Sequence, residues 1–436
     1  MTQQTASKKV INGWAMYDWA NSVYNLVITT TFFPIYFLAV TSNRADHKVN
    51  FLGREFVNSS LYDYVLAVAY LLIALLYPIL TSIADTRGNK KNFMRFFCYM
   101  GALGCSALFF FKADTLGLGV FAFMLAAMGY VGSLVFYNAY LPEIAAPQDR
   151  DRVSARGYSF GYIGSVIMQI VGFALILIMS DQGLATRLTF LLVGIWWFLF
   201  AQISFSRLPE SDSKPEKKGN VIKEGFGEIR KVYAEIKKMP VLKRFLRGFF
   251  FYSMGVQTVM LAATIFGSKL LKLPDTNLII TVVIIQVVAI LGAWGMSRLS
   301  AIFGNLKVLL AVIIFWIAIC VLAYYTAVLA EGGFNAEYLF YGLAVLVGLV
   351  MGGIQALSRS TYAKLMPPTK DTASFFSYYD FTEKLAIVIG IFTFGRIEEV
   401  TGSMKNSVLS LIVFFAIGFF WLYAALHKEK QNHLAS

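Results

Sequence analysis

Twelve apolar runs, each near or above the length of a bilayer-crossing helix, dictate most of what this chain can fold into. They fall at about 12–40, 61–83, 93–111, 115–141, 155–180, 187–206, 242–269, 277–298, 305–329, 337–362, 375–397 and 405–427. A helix needs ~20 residues to cross ~30 Å of hydrocarbon, and inside hydrocarbon every backbone N–H and C=O must be satisfied within the protein. The predicted fold class is therefore an all-α membrane protein with twelve transmembrane helices. Composition agrees. The 436 residues are 58% hydrophobic and 14% charged, whereas soluble domains average roughly 45–50% apolar and about 25% charged. Lys8 and Lys9 precede a first span far longer than a signal-peptide core, so this span is expected to remain as an anchor.

The basic residues are unevenly placed. If both ends lie on one side, that side and its loops collect 28 of the 38 Lys and Arg, twelve of them between Arg207 and Arg247, and the other side collects nine. The rule that cytoplasmic loops are basic predicts cytoplasmic termini. Anionic headgroups beside these loops account for the net charge of +13 without any nucleic acid. Cys98, Cys105 and Cys320 lie in or beside spans at no ligand-like spacing and read as packing residues. His47, His427 and His433 lie outside the spans, which argues against a buried His-based metal or catalytic site. No P-loop is present to suggest an ATP-driven device. No cofactor is implied and the chain does not read as an enzyme.

A long loop splits the spans six and six, so the expected organisation is a six-helix half at 1–207, a linker at 208–241 and a second six-helix half at 242–436. Within the linker, Ile222, Phe226, Ile229, Tyr233 and Ile236 recur at the spacing of an amphipathic helix, predicted to lie along the membrane surface and tie the halves together. A regulatory docking site is the other reading of this helix. The halves also resemble each other. Gly88-Asn89-Lys90-Lys91 after span 2 is echoed by Gly304-Asn305-Leu306-Lys307 after span 8, at an offset of 216 residues; Glu143 to Pro147 and Lys364 to Pro368 end spans 4 and 10 at an offset of 221. Six-plus-six halves of this kind describe a transporter built from parallel repeats, with its site near the midplane.

Several motifs carry a family resemblance. Asp85-x-x-Gly88-x-Lys90-Lys91 after span 2 looks like the signature loop of the major facilitator superfamily, with Thr81 in place of the usual leading Gly. Three segments are more specific: Trp14-Ala15-Met16-Tyr17-Asp18-Trp19-Ala20-Asn21-Ser22, Ser154-Ala155-Arg156-Gly157-Tyr158-Ser159-Phe160-Gly161-Tyr162, and Gly352-Gly353-Ile354-Gln355-Ala356-Leu357-Ser358-Arg359-Ser360. Together they resemble the branch of autophagy-related vacuolar amino-acid effluxers and their bacterial relatives, over essentially the whole chain. The resemblance implies the major facilitator fold in two pseudo-symmetric halves and alternating access. It also implies efflux of amino acids or similar metabolites, and a bacterial inner membrane as location. One departure is clear. Span 7 of such relatives often reads Tyr-x-Asp-Gly, whereas this chain reads Tyr252-Ser253-Met254-Gly255.

Charged and polar residues within spans are the site candidates, because each must face a partner or a wet cavity. Asp18 lies in span 1 with no nearby base on its own helix, Lys8 and Lys9 being two turns or more away, so it either reaches a base on another helix or sits protonated. Asp380 and Lys384 stand at i, i+4, the favourable order for a pair, and Glu383 lies between them. Together with Arg359 they form either a neutral brace or an inner gate, and Glu143 near Arg156 reads the same way. Candidates for substrate or proton contact are Asp18, Asn21, Tyr24, Asn138, Tyr162, Gln257, Gln355, Asp380 and Glu383. Candidates for the gate and signature loop are Asp85, Gly88, Lys90, Lys91, Glu143, Arg156, Arg359 and Lys384. The expected partners are a small polar solute, protons as a coupling ion, and lipid, with the chain acting as a monomer. Import of muropeptides, sugars or drugs is the alternative within this class; a non-transporting lipid-handling membrane protein is the alternative outside it.

Overall fold

The computed structural model describes residues 4–41, 48–87, 89–210 and 221–435. Gly88 of the signature loop therefore lies outside the described residues. The first span is not a single regular helix. It runs as α1 (Lys8–Val23), continues from Tyr24 to Phe32 as a π-helical stretch, and returns to α-helix in α2 (Phe33–Thr41). Next come α3 (Asn58–Arg87), α4 (Lys90–Ala107), α5 (Leu116–Ala139), a single turn α6 (Leu141–Ile144), α7 (Arg150–Ile178) and α8 (Gln182–Arg207). After the linker helix α9 (Val221–Lys238) follow α10 (Pro240–Lys269), α11 (Asp275–Phe303), α12 (Asn305–Glu331), α13 (Glu337–Leu365), α14 (Thr372–Thr401) and α15 (Met404–Ala435). Ten of the twelve membrane-length units are long and apolar enough to cross a bilayer by length and composition among the described residues. The other two, α10 and α14, have 30 residues each and run with them. In α14 the lower apolarity reflects Asp380, Glu383 and Lys384 within the span. Among the described residues an even number of membrane-length units puts the start of α1 and the end of α15 on one face, called here the terminal face.

The connection between the first two spans holds a feature missed in the sequence, a hairpin of β1 (Lys48–Phe51) and β2 (Arg54–Val57), with Phe51 opposite Arg54. Its two turn residues, Leu52 and Gly53, have φ of 53° and 76°, as a type I′ turn requires.

Within the first six helices α1 packs between α7 and α8, and α4 against α5 and α8; within the last six α11 packs on α13, and α15 on α10 and α12. Small residues allow backbone-to-backbone contact, the usual basis of helix association in lipid. A Cβ on Gly352 would lie 2.0 Å from the Ala289 carbonyl oxygen, and one on Gly129 2.3 Å from the Gly101 amide nitrogen. The two sets meet where α7 packs on α11 and α13, and where α14 packs on α3 and α5. Cys98, Cys105 and Cys320 are buried and free.

The linker does contain a helix, and of the predicted stripe Ile236 faces the protein while Phe226 and Tyr233 do not. Val232 and Ile236 are buried, whereas Phe226 and Tyr233 are exposed. The helix α9 sits on α3, with smaller contacts to α10 and α14. Docking against a neighbour of limited width buries one i, i+4 pair and leaves Phe226 and Tyr233 uncovered.

Candidate functional site

The centre of the molecule is a buried ion pair. Asp18 of α1 has no nearby base on its own helix; the structure supplies Arg359 from α13, whose Nη1 and Nη2 stand 3.3 and 3.4 Å from Asp18 Oδ2. Tyr137 of α5 donates its hydroxyl to the same oxygen at 2.6 Å. Arg359 is in turn held by Ser154 of α7, with Nε to the hydroxyl at 3.0 Å and Nη2 to the carbonyl at 2.9 Å. Its planar guanidinium lies 4.3 Å from the Tyr158 ring and 4.7 Å from the Trp14 ring, a cation–π setting that suits arginine better than lysine. Trp14 stacks on Tyr137 and donates its indole N–H to the Tyr137 carbonyl at 3.0 Å. A buried pair repays its desolvation only when its geometry is good and its remaining donors are satisfied; here Ser154 satisfies the other guanidinium donors, while the pair itself is long, with both nitrogens on one carboxylate oxygen. The close approach depends on Gly157, where a Cβ would lie 2.5 Å from Asp18 Oδ2 and 2.9 Å from Arg359 Nη2.

Beside this pair, α14 brings further charges, paired differently from the i, i+4 expectation. Lys384 bonds Glu383 at 2.6 Å, and its ammonium lies 5.6 Å from the Tyr70 ring. Asp380 instead accepts from Asn138 Nδ2 at 3.1 Å, and its Oδ2 is buried with no hydrogen-bond partner. Adjacent residues of one helix point about 100° apart, but the long lysine side chain can still fold back to its neighbour. Gln257 of α10 donates to Glu383 at 3.3 Å, and Tyr162 donates to Gln355 at 2.9 Å.

The Asp18–Arg359 pair and the α14 charges border one cavity of about 100 Å3 between the two helix sets. Seven of the nine substrate or proton candidates line it: Asp18, Asn138, Tyr162, Gln257, Gln355, Asp380 and Glu383, together with Arg359 and Lys384. Asn21 and Tyr24 do not. Asn21 is buried beside it, and Tyr24 packs in the first six helices among Phe123, Tyr130 and Trp197. Ser22 and Asn25 take their place, since Asp18, Ser22, Asn25 and Thr29 fall on one helix face. The missing acid of span 7 is not replaced there: Met254 is buried, its backbone against Gly390.

The π-helical stretch is a second feature that the sequence did not reveal. It presents Asn25, Leu26, Thr29 and Thr30 to the cavity. The Leu26 carbonyl accepts from Thr30 and Thr31 hydroxyls at 2.8 Å and from Gln169 Nε2 at 3.0 Å. These side-chain donors stabilise the wider turn locally; π turns inside α-helices recur at functional sites.

The helix sets are latched at the terminal face. Asp85 accepts from the Ser374 amide at 2.7 Å, the Ala373 amide at 3.3 Å and the Ser374 hydroxyl at 2.8 Å, so a carboxylate of α3 caps the positive N-terminus of α14. Lys90 contacts Glu143 and bonds the Thr372 hydroxyl at 2.8 Å. On the other flank, Asp151 in the first turn of α7 accepts from Ser300 at 2.8 Å, Asn305 at 2.7 Å and Lys364 at 2.5 Å. The repeat seen in the sequence thus has a physical use: the loop before α4 holds the start of α14, and the loop before α12 holds the start of α7. One correction follows. Glu143 pairs with Lys90 rather than Arg156. The Arg156 guanidinium lies 5.7 Å from the Phe160 ring. Lys91 bonds Glu210 at 2.7 Å, and that hydrogen bond holds the Glu210 carboxyl below its ordinary range. Sequence reasoning missed Asp151 and Arg150, which bonds the Ala145 carbonyl within its own set at 3.1 Å and the Ala363 carbonyl across the sets at 2.6 Å. Their place at the start of span 5, the repeat counterpart of the start of span 11, was the available signal. Asp85→Ala is expected to loosen this face. A cysteine at the cavity residue Leu134 should then label several-fold faster with a polar maleimide added from the terminal side.

Twelve long helices in two sets, a charged cavity between them and latches on one face define a transporter of the major facilitator superfamily, an integral membrane protein of many crossings acting on a small-molecule substrate. The chain belongs to the family described as vacuole effluxer Atg22 like, which it matches over residues 6–434. It is 32% identical over 414 residues to the uncharacterized MFS-type transporter YxiO of Bacillus subtilis, covering 93% of this chain and 92% of that one. It is 22% identical to autophagy-related protein 22-1 of Penicillium rubens, over 93% and 88% of the two chains. Among solved structures, the human organic anion transporter MFSD10 superposes with a TM-score of 0.74 at 13% identity, covering 96% of this chain and 100% of that one. The transporter FucP in its outward conformation superposes at 0.68 and 13% identity, over 96% and 97%.

Proposed function

We propose that this protein exports a small zwitterionic solute, an amino acid or similar metabolite, by alternating access, in exchange for protons. The observation that carries the reading is Asp380, a buried carboxylate with one unpartnered oxygen, on a residue that lines the cavity together with Arg359 and Lys384. A site with fixed charges of both signs suits a solute carrying both an ammonium and a carboxylate, and an acid with a free oxygen can accept either that ammonium or a proton. In this reading 1–207 and 242–436 rock as two bodies joined by 208–241, in a bacterial plasma membrane. The termini are cytoplasmic, so the latched terminal face is the closed cytoplasmic gate, and one chain suffices for transport. The family description as an effluxer supports the direction.

The test uses proteoliposomes loaded with a radiolabelled amino-acid mixture. An imposed proton gradient is expected to speed efflux at least tenfold. Asp380→Asn should remove that acceleration while solute-for-solute exchange persists. Flux indifferent both to the gradient and to the substitution would overturn proton coupling, and the absence of flux of any amino acid would overturn the substrate class.

A further inference from the structure

The linker helix α9 carries a surface that transport does not use. Phe226, Arg230, Tyr233 and Lys237 recur at i, i+4, i+7 and i+11, which places them within a sector of about 60°. All four are exposed, Phe226 at 61% and Tyr233 at 58%. Alternating aromatic rings and cations on one flank match the headgroup layer of a bilayer, where rings sit at the boundary and Lys or Arg meet lipid phosphates. The position fits as well. Val232 and Ile236 are buried where α9 packs on α3, a helix that ends at the terminal face. A helix docked there, in a protein whose long helices cross the bilayer, lies at headgroup depth.

Residue Lys231 points to the opposite flank. Its ammonium bonds Asp371 Oδ2 at 3.2 Å and Glu228 at 3.1 Å. Asp371 immediately precedes Thr372, Ala373 and Ser374, the residues through which Lys90 and Asp85 hold the terminal face shut. One helix therefore rests on α3, reaches α14 and exposes a basic-aromatic flank.

We propose that this flank of α9 binds the anionic headgroups of bilayer lipids, and that lipid held there favours the closed terminal face. The physical reason is differential binding: α9 can touch both α3 and α14 only while those helices are together, so a ligand that holds α9 in that posture biases the equilibrium toward closure. The lipid contact stands independently of the transport reading; the bias on closure rests on alternating access.

The full-length protein, with Ala234→Cys carrying an environment-sensitive fluorophore, is reconstituted in phosphatidylcholine alone or with phosphatidylglycerol. Phosphatidylglycerol is expected to shift emission to the blue, and high salt or the double charge reversal Arg230→Glu/Lys237→Glu should undo the shift. Both reversed positions are exposed, and an unchanged gel-filtration profile checks folding. In parallel, phosphatidylglycerol should slow terminal-side labelling of a cysteine at Leu134 several-fold, and the reversal should restore it. Identical emission in both lipids would overturn the contact. An equal shift from inorganic phosphate in the neutral bilayer would overturn lipid as the ligand. A blue shift with unchanged labelling would overturn the coupling to closure.

Discussion

Replacing Arg359 by glutamine is expected to abolish transport and to destabilise the protein by about 3–5 kcal/mol, the usual result of leaving one partner of a buried ion pair uncompensated. Asp18 would remain buried with only Tyr137 to donate to it, and Ser154 would lose its guanidinium contacts. The double variant Asp18→Asn/Arg359→Gln removes both charges and is expected to recover most of the stability without recovering transport. Thermal unfolding of the purified variants, read beside solute exchange in proteoliposomes, separates the two effects. A brace without a role in transport would regain exchange together with stability. Lysine at 359 should fall between, since its point charge can meet Asp18 but cannot stack flat between Trp14 and Tyr158.

The second large effect is expected at Gly157. An alanine methyl there would enter the contact between Asp18 and Arg359, with Trp14 Cζ3 at 2.9 Å closing the third side. The carboxylate cannot swing away cheaply, because Tyr137 and Arg359 both fix it. Overpacking of this kind typically costs about 1–3 kcal/mol, and a displaced pair should reduce exchange by at least tenfold. Melting temperature and exchange rate of Gly157→Ala measure both. Gly395, whose added Cβ meets nothing within 4 Å, serves as the control at which alanine should be silent.

These two positions show what could be read in advance. Asp18, Gly157 and Arg359 each belong to a motif that was visible in the sequence, yet no motif pairs them. Spacing along a chain reports neighbours on one helix, so Asp380 and Lys384 looked like partners, whereas Lys384 meets Glu383 and Asp380 meets Asn138. The same limit explains Glu143, matched to Arg156 by proximity at helix ends but bonded to Lys90 once α4 and α5 pack. Tyr24 and Asn21 looked like site residues because they are polar in a span; which helix face meets the cavity depends on how α1 is rotated between α7 and α8. The π-helical stretch depends on donors from Gln169 on another helix as well as on its own threonines, so local propensity alone could not reveal it.

The apolar runs, the excess of basic residues on one set of loops, the repeated Gly-Asn-x-Lys element and the three motif segments determined by themselves that the chain is a twelve-helix protein of the major facilitator fold. The helical spans follow from local physics, because hydrocarbon forces each span to satisfy its own backbone; the major facilitator fold followed from the resemblance of the motif segments to a family. What only the tertiary structure decided is the wiring: that Asp18 finds its base in Arg359, that Asp85 caps α14 and Asp151 anchors α12, and that α9 turns Val232 and Ile236 inward and its basic-aromatic flank outward. A buried charge must find a partner, but which partner depends on helix rotation and packing between segments hundreds of residues apart.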